Sequence, residues 1–167
     1  EGVLPAAERR ADEAAHHFGV LFQEVLAYSD RVGVDVQAVI AEKFQAIVHL
    51  DLSNSRMKDF YDIWIVSRTL QFGGQELSKS IQSTFERRET PIPTTPPAAL
   101  TERFFDDPTH IRQWDAFVTR IDELSLKEKL PTVIRAITDF VMPPTIAAAQ
   151  RKPLQLRWTP KGGWSSQ

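Results

Sequence analysis

Two charged clusters interrupt stretches that are otherwise apolar enough to be core helices: Ala41-Glu42-Lys43, and further on Arg56-Met57-Lys58-Asp59-Phe60-Tyr61-Asp62. A lysine rising from an apolar stripe either snorkels its ammonium to water or holds a cation at the wall of a cleft, where it can meet phosphate oxygens as a point charge. Asp59 is flanked by aromatic and apolar residues, and an enclosed carboxylate without a partner is costly, so it calls for a cation. Lys43 is the candidate. Within the second cluster, Arg56 with Asp59 and Lys58 with Asp62 stand at i,i+3 and i,i+4, pairs worth about 0.2–0.5 kcal/mol on an exposed helix. Binding of an anionic, phosphate-bearing ligand is the chemistry these residue types could perform; a solvated, salt-bridged helix start is the bland alternative.

Other chemistry is poorly supported. His16 and His17 are adjacent, so on a helix they diverge and make a poor metal pair, while His49 and His110 stand alone. Gly73-Gly74 has neither a preceding strand nor a following Lys-Ser/Thr pair, and forms no phosphate loop. No metal site is expected. The formal net charge of -2 gives no global basic field, so an anion site must be local. The chain has no cysteine, which excludes disulfides and thiolate metal sites and makes a reducing cytoplasm the default expectation. No apolar run reaches the roughly 20 residues that span a bilayer, so no membrane partner is expected. The first residue is Glu rather than Met, which suggests a processed, trimmed or incomplete chain.

The elements that must position the two clusters follow from apolar periodicity. A helix is expected from about Ala6 to Tyr28. Asp35 is an expected N-cap for a helix over about Val36 to Leu50, whose stripe is Val36, Val39, Ile40, Phe44, Ile47 and Val48. Asp51 to Ser55 is rich in residues that bond their own backbone and should turn into a helix from about Arg56 to Leu70. Gly73 and Gly74 are expected to end that unit, and a helix from about Gln75 to Arg87 follows. Four prolines between Glu89 and Leu100 predict an extended strap within one domain. Asp107-Pro108 should start a helix with Ile111, Trp114, Phe117, Val118, Ile121 and Leu124 on its stripe, Trp114 and Phe117 being core. Ser125 and Glu128 form a capping-box pattern for a last helix, which Pro143 and Pro144 should kink or end. The tail, with Trp158 and Trp164, reads as an irregular segment strapped down by its indoles. No strand alternation is found, so the expected class is all-α, five or six helices in a bundle.

The run from Val39 to Trp64 resembles the C-terminal part of the AbiEii/AbiGii nucleotidyltransferase toxins of abortive-infection toxin–antitoxin pairs. Similarity continues through Phe85 to Pro93, Pro97 to Phe117 and the terminal W-T-P-K-G-G-W. Ala41, Glu42 and Lys43 match the family's A-x-E-K motif; Arg56 and Asp59 match R/K-x-x-D, with Tyr61 and Asp62 in the usual context. The resemblance implies a polymerase-beta-like nucleotidyltransferase acting with Mg²⁺ and a nucleoside triphosphate on RNA or protein. It implies that Lys43 and Asp59 are catalytic, that Lys43, Arg56 and Lys58 bind the nucleotide, and that Glu42, Tyr61 and Asp62 support them. The family's Gly-Ser and paired-acid motif has no counterpart before Lys43, where the glycines are Gly2, Gly19 and Gly33 and none precedes Ser. The resemblance therefore implies a helical lobe without its α/β catalytic domain, inactive alone. Its expected organisation is a divergent helical segment at 1–34 and an AbiEii-like helical domain at 35–167, with the strap at 89–100. The competing expectation is a helical interaction module that binds an antitoxin or other partner.

Overall fold

The computed structural model describes residues 35–121 and 127–166. The helix expected over Ala6 to Tyr28 lies outside the described residues. Asp35 caps helix α1 (Val36–Leu50), its carboxylate accepting from the backbone N–H groups of Gln37 and Ala38. Ile40, Ala41, Phe44 and Ile47 are fully buried along its inner face, whereas Val39 is 40% exposed and stands off the expected stripe. A short 3₁₀ turn (Asp51–Ser53) leads to Asn54 and helix α2 (Met57–Thr69). Asn54 is itself buried, and its side-chain carbonyl accepts from the Arg56 N–H at 2.8 Å, which fixes the start of α2.

The Gly73-Gly74 pair does not form a helix exit. Phe72–Gly73 is strand β1, and Gly73 is the N-cap residue of helix α3 (Gly74–Arg87). The proline-rich strap closes onto the body of the molecule rather than leaving it. Ala99 and Leu100 are buried, and the Ala99 N–H donates to Asp51 Oδ1 at 2.7 Å, tying the strap to the α1–α2 junction. Helices α4 (Glu102–Phe105) and α5 (Pro108–Arg120) follow, the latter capped by Asp107 with Pro108 in its first turn. Two backbone N–H groups, of His110 and Thr109, hold the exposed Asp107 carboxyl below its usual pKa.

Helix α6 (Leu130–Gln150) is the central rod: Val133, Ile134, Ile137, Phe140 and Val141 are completely buried against α2 and α3. It starts later than the capping-box pattern suggests, with Lys129 as N-cap and the Glu128 carboxylate accepting from the Lys129 N–H; Leu124 and Ser125 lie outside the described residues. It also continues through Pro143 and Pro144 to Gln150, so the prolines do not end it. Pro144 cannot donate to the carbonyl of Phe140, and the indole N–H of Trp164 does so instead, at 3.0 Å. The surrogate donor and the buried packing around it let the helix continue.

Trp164 reaches that position from a β-hairpin, which adds a small sheet to the expected helical body. The structure is mostly helical, with a small antiparallel sheet in the order β1, β2 (Leu156–Thr159), β3 (Gly163–Ser166). Gly163, at φ +69°, takes the left-handed conformation at the start of β3. Register pairs Trp158 with both Phe72 and Trp164, so the two indoles and Phe72 surround Phe140. The Trp158 indole donates to Ser67 O at 2.7 Å. The indoles do strap the tail down, but through a hairpin and not an irregular segment.

Candidate functional site: a cationic groove between three helices

Lys43 leaves the edge of α1 toward the first turn of α2. Its ammonium lies 2.9 Å from Asp59 Oδ1 and 3.0 Å from Asp62 Oδ2. Asp59 is the buried acid of the pair, with its side chain 4% exposed, in the first turn of α2 where the helix dipole stabilises negative charge. Arg56 Nε sits 2.9 Å from Asp59 Oδ2, but that oxygen has no hydrogen-bond partner, so the contact is one of charge without alignment. Lys58 completes the cluster at 2.6 Å from Asp62. Desolvation, the largest single influence on Lys43, favours its neutral form. Hydrogen bonds and charge from Asp59 and Asp62 together outweigh it and hold the Lys43 pKa above the usual lysine value.

This cluster floors a groove of about 900 Å³, a size that suits a small-molecule ligand. Its second wall is one face of α5, where Thr109, Arg112, Gln113, Ala116, Phe117 and Arg120 recur at helical spacing. Five cations line it, Lys43, Arg56, Lys58, Arg112 and Arg120, against the single carboxylate of Asp59. Met57, Phe117 and Ile121 add apolar surface. The arrangement suits an anion joined to a flat or apolar body.

The residues singled out from sequence fall into two groups. Lys43, Arg56, Lys58 and Asp59 line the groove, and Asp62 braces Lys43 from behind. Tyr61 is buried in an aromatic cluster with Trp64, Trp114 and Phe117, where it backs the α5 wall. Glu42 points elsewhere: it pairs with Arg87 and Arg88 at the end of α3 and lines a separate hollow of about 350 Å³. Phe117 is no core residue like Trp114 but a half-buried part of the groove wall, and Ile111 is 36% exposed. Arg112, Gln113 and Arg120 carried no mark in the sequence because they occupy the polar side of an amphipathic helix. Only their recurrence at three- and four-residue spacing with Thr109, Ala116 and Phe117 sets them apart.

Two carboxylates in the cluster raise the question of a divalent cation. Mg²⁺ requires oxygen ligands in a near-octahedral shell. Here Asp59 and Asp62 are already engaged by Lys43, Arg56 and Lys58, and among the described residues no group of three His, Cys, Asp or Glu side chains could hold a metal. The residues described do not fit such an ion, and no step is assigned to one. Among the same residues, no helix is long and apolar enough to cross a membrane.

The body is thus mostly helical, and its groove carries an excess of cations among the described residues. A family model described as nucleotidyl transferase AbiEii toxin, Type IV TA system, matches residues 32–141, well over half of the chain. The chain belongs to this family. No curated protein and no solved structure matches it.

Proposed function

We propose that this chain is the helical lobe of an AbiEii-type nucleotidyltransferase, and that its groove holds the phosphates of a nucleoside triphosphate whose nucleotide is transferred to an RNA or protein acceptor. The observation that carries the reading is the convergence of Lys43 and Asp59 on the floor of a groove lined by five cations and one acid. Phosphoryl transfer depends chiefly on positioning and on neutralising phosphate charge. Lys43 suits that work because Asp59 and Asp62 fix the position of its ammonium on the groove floor. Asp59 acts as a positioning residue, since its two oxygens face Lys43 and Arg56. Lys58 lines the groove and pairs with Asp62, which braces Lys43 from behind.

The reading gives the described residues the task of holding the triphosphate and leaves bond making to metal-binding carboxylates supplied from outside this set. Because the Gly-Ser and paired-acid motif has no counterpart before Lys43, the chain by itself is expected to be inactive. Isothermal titration of the chain with each of the four nucleoside triphosphates tests the first part: binding is expected, and Lys43→Ala should weaken it by roughly tenfold or more. Absence of binding would leave antitoxin docking as the use of this surface. Incubation with Mg²⁺, labelled nucleotides and RNA tests the second part. Transfer by the chain alone, lost in Lys43→Ala, would overturn the assignment of bond making elsewhere.

A further inference from the structure

The five groove cations are not equivalent. Lys43, Arg56 and Lys58 are all spent on Asp59 and Asp62. Arg112 and Arg120, on the opposite wall, have no acidic partner among the described residues. Among those residues each bonds only within its own helix, Arg112 to Thr109 Oγ1 at 3.3 Å and Arg120 to Ala116 O at 3.0 Å. They stand eight residues apart, about 12 Å along the axis of α5, with the small Ala116 midway between them. The side chain at that midpoint leaves room for both long stems to close over one ligand. Gln113 lies on the same face, and its carbonyl oxygen is buried without a hydrogen-bond partner. Among the described residues, this wall therefore carries two guanidinium groups that no carboxylate neutralises, the charge an incoming anion would meet first.

We propose that Arg112 and Arg120 are the principal phosphate ligands of the groove, drawing a polyphosphate chain across Ala116, with Lys43 as a pre-paired third cation beneath it. This rests on the nucleotide-groove reading and deepens it by naming the wall that supplies the attraction. A guanidinium offers a planar fork of donors to phosphate, whereas Lys43 first has to share its ammonium with Asp59 and Asp62.

Inorganic tripolyphosphate, which has no base or sugar, is the probe, titrated into the full chain at low salt. Arg112→Ala and Arg120→Ala are each expected to weaken binding about fivefold or more, and the double substitution to Glu to abolish it. Arg103→Ala, an exposed arginine outside the groove, should leave binding unchanged and so control for a general loss of positive charge. Both groove arginines are exposed and, among the described residues, bonded only to α5, so circular dichroism of the variants should match that of the parent chain. If tripolyphosphate binds and is lost in Lys43→Ala but not in the arginine variants, the present inference fails while the nucleotide groove stands. If Arg103→Ala weakens binding as much as Arg112→Ala, the inference fails in favour of diffuse charge. If the parent chain binds no tripolyphosphate, both fall.

Discussion

Replacing Lys43 by Met keeps most of the stem and removes the ammonium, which isolates the electrostatic half of the α1–α2 contact. Asp59 Oδ1 would lose its lysine donor, and Oδ2 already has only the misaligned Arg56 beside it. Breaking a fully buried pair from one side costs about 3–5 kcal/mol, because the remaining charge is stranded. Lys43 is 26% exposed and water can enter the vacated space, while Arg56 stays within reach, so the expected cost is about 2 kcal/mol. In a chain of this size that corresponds to a fall in Tm of about 4–8 °C. The double variant Lys43→Met with Asp59→Asn removes both charges and should be more stable than the sum of the single effects, with a coupling of about 1–2 kcal/mol. Urea denaturation followed by circular dichroism at pH 7 measures all four corners of the cycle. A Lys43→Met chain within about 0.5 kcal/mol of the parent, or strictly additive single effects, would refute the claim that this pair holds the site together.

Other expectations are as specific. The Lys43 pKa is raised on folding above the ordinary 10.5, so the pair's stabilisation is complete below about pH 10.5 and is lost as pH rises through the folded value; the alkaline limb of a stability–pH curve should flatten in Lys43→Met. Trp164→Phe removes the donor that serves the Phe140 carbonyl opposite Pro144, and should cost about 1–2 kcal/mol, with faster amide exchange in α6. Glu42→Gln loosens a partly exposed link from α1 to Arg87 and Arg88 and should lower stability by less than about 1 kcal/mol in the same urea assay. Ala116→Leu places a bulky side chain on the exposed wall between the two groove arginines; it should reduce nucleotide affinity by about tenfold or more without lowering Tm.

Much of the helical frame is legible in the chain because local chemistry dictates it. Asp35 and Asp107 are capping residues followed by periodic apolar stripes, and both caps form where the pattern puts them. Arg56 with Asp59 and Lys58 with Asp62 are pairs that helical spacing alone implies, and both are present. The hairpin is not legible, because Leu156–Thr159 and Gly163–Ser166 are short, and Leu156–Thr159 reaches beyond the hairpin only to two residues of β1, far away in sequence. The unbroken α6 is hidden for a related reason: the proline rule holds locally, and the compensating donor, Trp164, comes from a distant part of the chain. At the site, the cation and acid of α1 and α2 announce themselves as charges in apolar runs. The arginines of α5 do not, since exposed charges opposite Trp114 are what any amphipathic helix carries. Only the tertiary placement of α5 across from α2 turns its polar face into a wall.

The most direct test of the account is a crystal structure of the chain with a non-hydrolysable nucleoside triphosphate analogue, read for the position of the phosphates. They are expected in the groove between α2 and α5, within hydrogen-bonding distance of Lys43 and at least one of Arg112 and Arg120. Phosphates bound at the Glu42–Arg88 hollow or elsewhere, with the Lys43–Asp59 pair untouched and the groove holding only solvent, would contradict it.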